Sequence, residues 1–137
     1  MGLYLAVFDG EDEVGGVEVG SYADFGAFRN AVVANVEDGM AGSRCPTLIL
    51  HSDCGGQWTP EEASKLELEL GEVGARFKEL PPAPFNSDWQ RQVAKELGIV
   101  PQSLYECFFD VDGEPLLSRL ISLARLSKER NLPILFQ

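Results

Sequence analysis

The run Thr59-Pro60-Glu61-Glu62, followed by Ala63, Leu66, Leu70, Val73, Phe77 and Leu80 at alternating three- and four-residue steps, constrains this chain more than any other stretch. A hydroxyl at the N-cap, proline at the first helical position and two carboxylates facing the positive end of the dipole together start a helix. The apolar residues then fall on one stripe, which is stable only when a second layer covers it. Gly71 and Gly74 weaken such a helix by about 1 kcal/mol each relative to alanine unless close packing needs them.

Other segments supply that second layer. Residues 2–8 (GLYLAVF) read as a buried strand, residues 9–16 as a turn, and residues 14–19 as a glycine-weakened second strand, which together make a hairpin. Ser21-Tyr22-Ala23-Asp24 has capping-box spacing and opens a helix with Phe25, Phe28, Val32 and Val36 on one face, expected to stop at Gly39. Residues 47–50 have no polar alternation and are expected to be a strand covered on both faces. Pro81, Pro82 and Pro84 make a rigid break, and Ser87 to Gln90 opens a short helix that Gly98 closes. Residues 104–111 (LYECFFDV) give a strand signal before an Asp112-Gly113 turn. Glu114-Pro115 then starts a helix with Leu116, Leu117, Leu120, Leu123 and Ala124 inward, and residues 133–136 read as a final strand. The order ββα, βα, α, βα, β predicts a single α+β domain over residues 1–137. Its mixed sheet would have about five strands, with an N-terminal hairpin and three to four covering helices.

Composition narrows the function classes. The chain has 137 residues, 45% of them hydrophobic and 24% charged, as in folded soluble proteins. It has no run near the ~18 to 20 apolar residues of a membrane span. The N-terminal residues lack a basic start and a small-residue cleavage site, so they read as fold and not as a signal peptide. Three cysteines without CxxC spacing argue against a disulfide framework or a zinc site and favour a reducing cytoplasm. Cys45 and Cys107 read as small buried hydrophobes, and Cys54 as a loop residue. The net charge of −11 is uneven: residues 1–39 carry Asp9, Glu11, Asp12, Glu13, Glu18, Asp24, Glu37 and Asp38 against Arg29 alone. Such a field repels nucleic acid and anionic membranes and steers basic partners toward the N-terminal half, although acidity also serves plain solubility.

The stretch LILHSDCGGQW, residues 48–58, holds the only histidine. If the expected strands ending at Leu50 and Val111 ran parallel, His51, Asp53 and Cys54 would meet Asp110, Asp112 and Glu114 at one sheet edge. That grouping could bind a cation or place a general base for metal-assisted hydrolysis. Ser-Asp-Cys-Gly-Gly and Asp-Val-Asp-Gly are equally good turn formers, and a structural role is the stronger expectation. The calcium-loop pattern is incomplete, no third residue orients a Cys54–His51 pair, and Gly55-Gly56 lacks the lysine of a phosphate loop. Trp58 and Trp89 read first as packing anchors, and as partner-binding residues if exposed.

As a set, MGLYLAVFD, EVGSYADF, SRCPTLILHSD with GQWTPEE, FNSDWQ, FFDVDGEPL and PILFQ resemble the Immunity protein 70 family of bacterial polymorphic-toxin immunity proteins, over essentially the whole chain. The resemblance implies a protein without catalytic residues or cofactor that binds a cognate toxin. Immunity to a nuclease toxin through an acidic surface over a basic cleft would suit the charge. The expected contact region is the hairpin tip (Glu11, Asp12, Glu13) with the polar face of the helix after Thr59 (Glu61, Glu62, Glu67, Glu69, Glu72), and Trp58 beside it. The alternatives are a small hydrolase using His51, Asp53, Asp110 and Asp112, or an adaptor module with no toxin partner.

Overall fold

A computed structural model describes residues 2–85 and 87–137; Met1 and Asn86, which belong to two of the segments quoted above, lie outside them. The hairpin comprises β1 (Gly2–Asp9) and β2 (Asp12–Ser21), and runs straight into α1 (Tyr22–Asn35). The Ser21 hydroxyl caps α1 by accepting the Asp24 N–H at 3.0 Å. After a one-turn helix α2 (Pro46–Ile49) and a two-residue strand β3 (Gln57–Trp58) come α3 (Pro60–Lys78) and α4 (Asp88–Leu97). A 3-10 turn (Leu104–Cys107), α5 (Leu116–Arg130) and β4 (Ile134–Phe136) complete the chain.

Among the described residues the sheet has four strands in the order β2-β1-β4-β3, and every pairing is antiparallel. The α+β class is as expected from the sequence; the strand count and the mixed sheet are not. Two expected strands are absent. Residues 47–50 lie mostly in α2, because a short apolar run reads alike as buried strand or buried helical turn, and Pro46 takes the first helical position. Residues 104–111 form the 3-10 turn and a single bridge, Phe109 to Pro115, with the Leu104 N–H drawn to Leu80 O just beyond α3. The edge strand β3 had no sequence signal of its own; it exists because Trp58 and Gln57 pair with Ile134 and Leu135.

Helices α1 and α5 pack on the sheet face carrying Leu3, Leu5, Val7, Val17 and Val19, and α3 packs against α5 and the edge strand β3. Phe28 of α1 lies at the centre, edge-on to Phe77 of α3 and to Phe108, with centroids 6.2 and 5.4 Å away. The glycines of β2 have distinct reasons. A Cβ on Gly15 would lie 2.4 Å from Leu126 of α5, and one on Gly16 would lie 2.2 Å from the Tyr4 hydroxyl. Adjacent strand residues point to opposite faces, so one glycine admits a helix and the other a tyrosine ring. The free edge of β2 is occupied near its middle: Glu18 O accepts the Val111 N–H at 3.2 Å and Gly16 O accepts from the Arg119 guanidinium at 3.4 Å.

The α3 start follows its sequence fully. Thr59 Oγ1 accepts the Glu62 N–H and Glu62 Oε1 accepts the Thr59 N–H, both at 3.1 Å, which closes the capping box. Ser87 likewise caps α4, and Gly98 ends it at φ +68°, where only glycine is unstrained.

Candidate functional site

The residues between α1 and α3 have little regular structure, yet charged side chains fix them throughout. Glu37 follows α1 and is 2% exposed. Its carboxylate accepts the N–H groups of Gly42, Arg44 and Cys45 at 3.0, 2.9 and 2.8 Å. Burial alone would raise its pKa, but the three donors outweigh it and hold the group below its ordinary value. Glu69 reaches from α3 to accept the Thr47 and Leu48 N–H groups at 3.2 and 3.0 Å, so it caps the exposed dipole end of α2 from another element. At the other end Arg29, the one cation of the first 39 residues, donates to His51 O at 2.7 Å and Leu48 O at 3.4 Å. Cys45 is buried among these groups. Burial first, then the charges of Glu69 and Glu37, push its thiol up to about 12 and leave it inert.

The histidine loop is built for cohesion. His51 Nδ1 is 2.6 Å from Ser52 O and Nε2 is 2.9 Å from Gln57 O, so both ring nitrogens face backbone carbonyls and neither is open to a metal or a substrate proton. The ring stacks on Phe136 at 4.3 Å and leans on Trp58 at 5.4 Å. Asp53 Oδ1 accepts from the Cys54 thiol at 3.1 Å. That hydrogen bond, and then the Asp53 charge, raise the Cys54 pKa, the reverse of what a nucleophilic thiolate needs.

Asp110 belongs to a different place. It is fully buried, and its Oδ1 accepts the Asp112 and Glu114 N–H groups at 3.0 and 3.1 Å, closing the turn around Gly113. Its Oδ2 lies 3.1 Å from Arg119 Nε, which is not aimed along a hydrogen bond, so the contact is an ion pair. Through Arg119 and Val111 this turn grips the edge of β2, whereas His51 sits beside β3 and β4. Because β2 and β3 are the two outer strands, the two loops flank opposite edges, three strand spacings or about 14 Å apart. The expected parallel strand ends do not exist, and His51 and Asp53 do not meet Asp110 and Asp112. Among the described residues no group of three or more His, Cys, Asp or Glu side chains is placed to hold a metal ion.

The acidic candidates divide into solvated and engaged groups. Glu11, Asp12 and Glu13 are exposed at the hairpin tip, where Glu13 accepts the Tyr4 hydroxyl at 2.8 Å. Glu61 is exposed, while Glu62 is held in the capping box. Glu67 pairs with Arg125 and Lys128 of α5 at 2.7 and 2.8 Å, and those hydrogen bonds lower its pKa. Glu72 pairs with Arg44 at 3.1 Å. Trp58 is 1% exposed and donates from Nε1 to Thr47 O at 3.0 Å, which places it in the core and not on a contact face. The roles of Glu37 and Arg29 had no local signal in the sequence, because their partners lie five to 22 residues away.

Two cavities of about 560 and 420 Å³ run along the outer side of α3 and share Arg44 and Glu72. No described helix is long and apolar enough to cross a membrane. A family model described as Immunity protein 70 matches residues 3–136, nearly the whole chain. The chain matches no curated protein and no solved structure.

Proposed function

The chain belongs to the Immunity protein 70 family, and from that premise we propose that it neutralises a cognate bacterial toxin by one-to-one binding in the cytoplasm, without turnover or cofactor. The family match over residues 3–136 carries this reading. Two features of the molecule support it. The side chains best suited to chemistry are engaged in holding loops, with both His51 nitrogens against carbonyls and Asp110 bound to two amides and Arg119. The formal charge of −11 suits a partner whose active-site cleft is basic, with Glu11, Asp12, Glu13 and Glu61 as solvated groups that would meet it.

The test is neutralisation. The toxin gene adjacent to this one is expressed in a sensitive host with and without the protein, and survivors are counted. Rescue together with a one-to-one complex on a sizing column is the expected result. Neither rescue nor complex would remove the toxin-binding reading for that pair.

A further inference from the structure

Leu68 is 76% exposed, the most exposed large apolar side chain among the described residues. It lies on the side of α3 away from the core stripe, in a row with Glu61, Lys65, Glu72 and Glu79. The larger cavity along this row is lined by Leu68 together with Pro46 and Thr47; the smaller one continues past the Arg44–Glu72 pair to Asp38 and Glu79. The facing wall comes from the segment after α1 through Asp38, Arg44, Pro46 and Thr47.

That wall is irregular backbone held by Glu37, Glu69 and Arg29, two of them buried carboxylates. Burying carboxylates is costly unless each is fully bonded, and here the outcome is a fixed shape beside the exposed Leu68. A surface that is rigid before binding loses little conformational freedom on docking. Apolar exposure inside a charged rim is how protein-interaction sites differ from ordinary surface. The charge of the rim indicates the partner. The lining of the two cavities holds five carboxylates against three cations, of which Arg44 pairs with Glu72 at 3.1 Å and Arg76 with Glu79 at 3.7 Å. The local excess is acidic, within a chain that is acidic overall.

We infer that the face between α3 and the segment after α1 is the anchoring surface for the toxin, receiving an apolar side chain beside Leu68 from a segment flanked by lysine or arginine. This rests on the toxin-binding reading and assigns the hairpin tip to long-range steering and not to anchorage. Leu68→Ala and Leu68→Glu are compared with Val100→Ala, an equally open side chain at a separate cavity beyond α4. Each is titrated, as the full chain, against the purified, catalytically silenced toxin domain from the adjacent gene. Thermal midpoints should match the wild type, since Leu68 is 76% exposed and lies outside the core cluster. Leu68→Ala is expected to weaken binding about thirtyfold, in the range of interface anchors, and Leu68→Glu further, with Val100→Ala within twofold. Tight binding by the wild type with both Leu68 variants within twofold of it overturns the anchoring face and leaves the toxin-binding reading standing. No binding by the wild type overturns both.

Discussion

The hairpin tip and the segment joining α1 to α3 are both rich in carboxylates, and the structure uses them in opposite ways. At the tip, Glu11, Asp12 and Glu13 stay in water, and their charge is available over a distance. In the joining segment, Glu37 is surrounded by unpaired backbone donors and takes three of them, while Glu69 takes two more from α2. The residue type is the same; the supply of buried and part-buried N–H groups decides which carboxylates become scaffold. Asp24, Glu37, Glu69 and Asp110 are the buried members of the acidic set.

Breaking the buried side of this contrast should have the largest effect. Glu37→Ala leaves the buried Cys45 N–H and the part-buried Gly42 and Arg44 N–H groups without their acceptor, at about 1 to 3 kcal/mol for each group that water fails to reach, and a total loss of about 3 kcal/mol is expected. Urea unfolding followed by tryptophan fluorescence measures it. A loss below about 1 kcal/mol would mean that water replaces the carboxylate and that the two regions do not differ as described.

The acid limb of the stability curve sharpens the same contrast. The folded pKa of Glu37 lies below its ordinary value of 4.5, so the unfolded chain binds the proton more tightly. The stabilisation is complete above 4.5 and is lost as the pH falls from there through the folded value. Glu37→Gln should therefore be less stable than the wild type at neutral pH, and the difference should shrink on acidification below pH 4.5. Parallel curves for the two proteins would contradict it. The smallest stability effect belongs to the tip: exchanging Glu11, Asp12 and Glu13 together for lysine should move stability by about 0.5 kcal/mol or less. The same exchange should slow toxin association roughly tenfold at low salt, with the gap narrowing as salt is added. An unchanged association rate in stopped flow would exclude steering by the tip.

What the sequence disclosed was whatever a few neighbouring residues decide. Thr59 with Glu62, Ser87 with Gln90 and the αL glycine at position 98 are local agreements, and the helices they bound lie where the spacing put them. The one-turn α2 escaped because both of its caps come from elsewhere, Glu69 from 21 residues ahead and Arg29 from 19 behind. Residues 104–111 are equally ambiguous, since the hydrogen bonds that hold them run to distant partners such as Leu80 O, which accepts the Leu104 N–H. The His51 cluster shows the limit for sites: the residue types suited a reactive centre, but reactivity depends on what each atom faces, and here both ring nitrogens face backbone carbonyls, at 2.6 and 2.9 Å.

The occupied margin of β2 also restricts how any partner can attach. A sheet recruits another chain most readily by offering an open row of backbone groups as a template for strand addition. Here Val111 and Arg119 interrupt that row at Glu18 and Gly16, and the opposite margin is only the two residues of β3. Attachment by backbone ladder, which tolerates almost any sequence, is therefore disfavoured, and recognition is left to side chains. A pairing read through side chains can be retuned one substitution at a time, so closely related copies of this fold can each keep a different partner without cross-reacting.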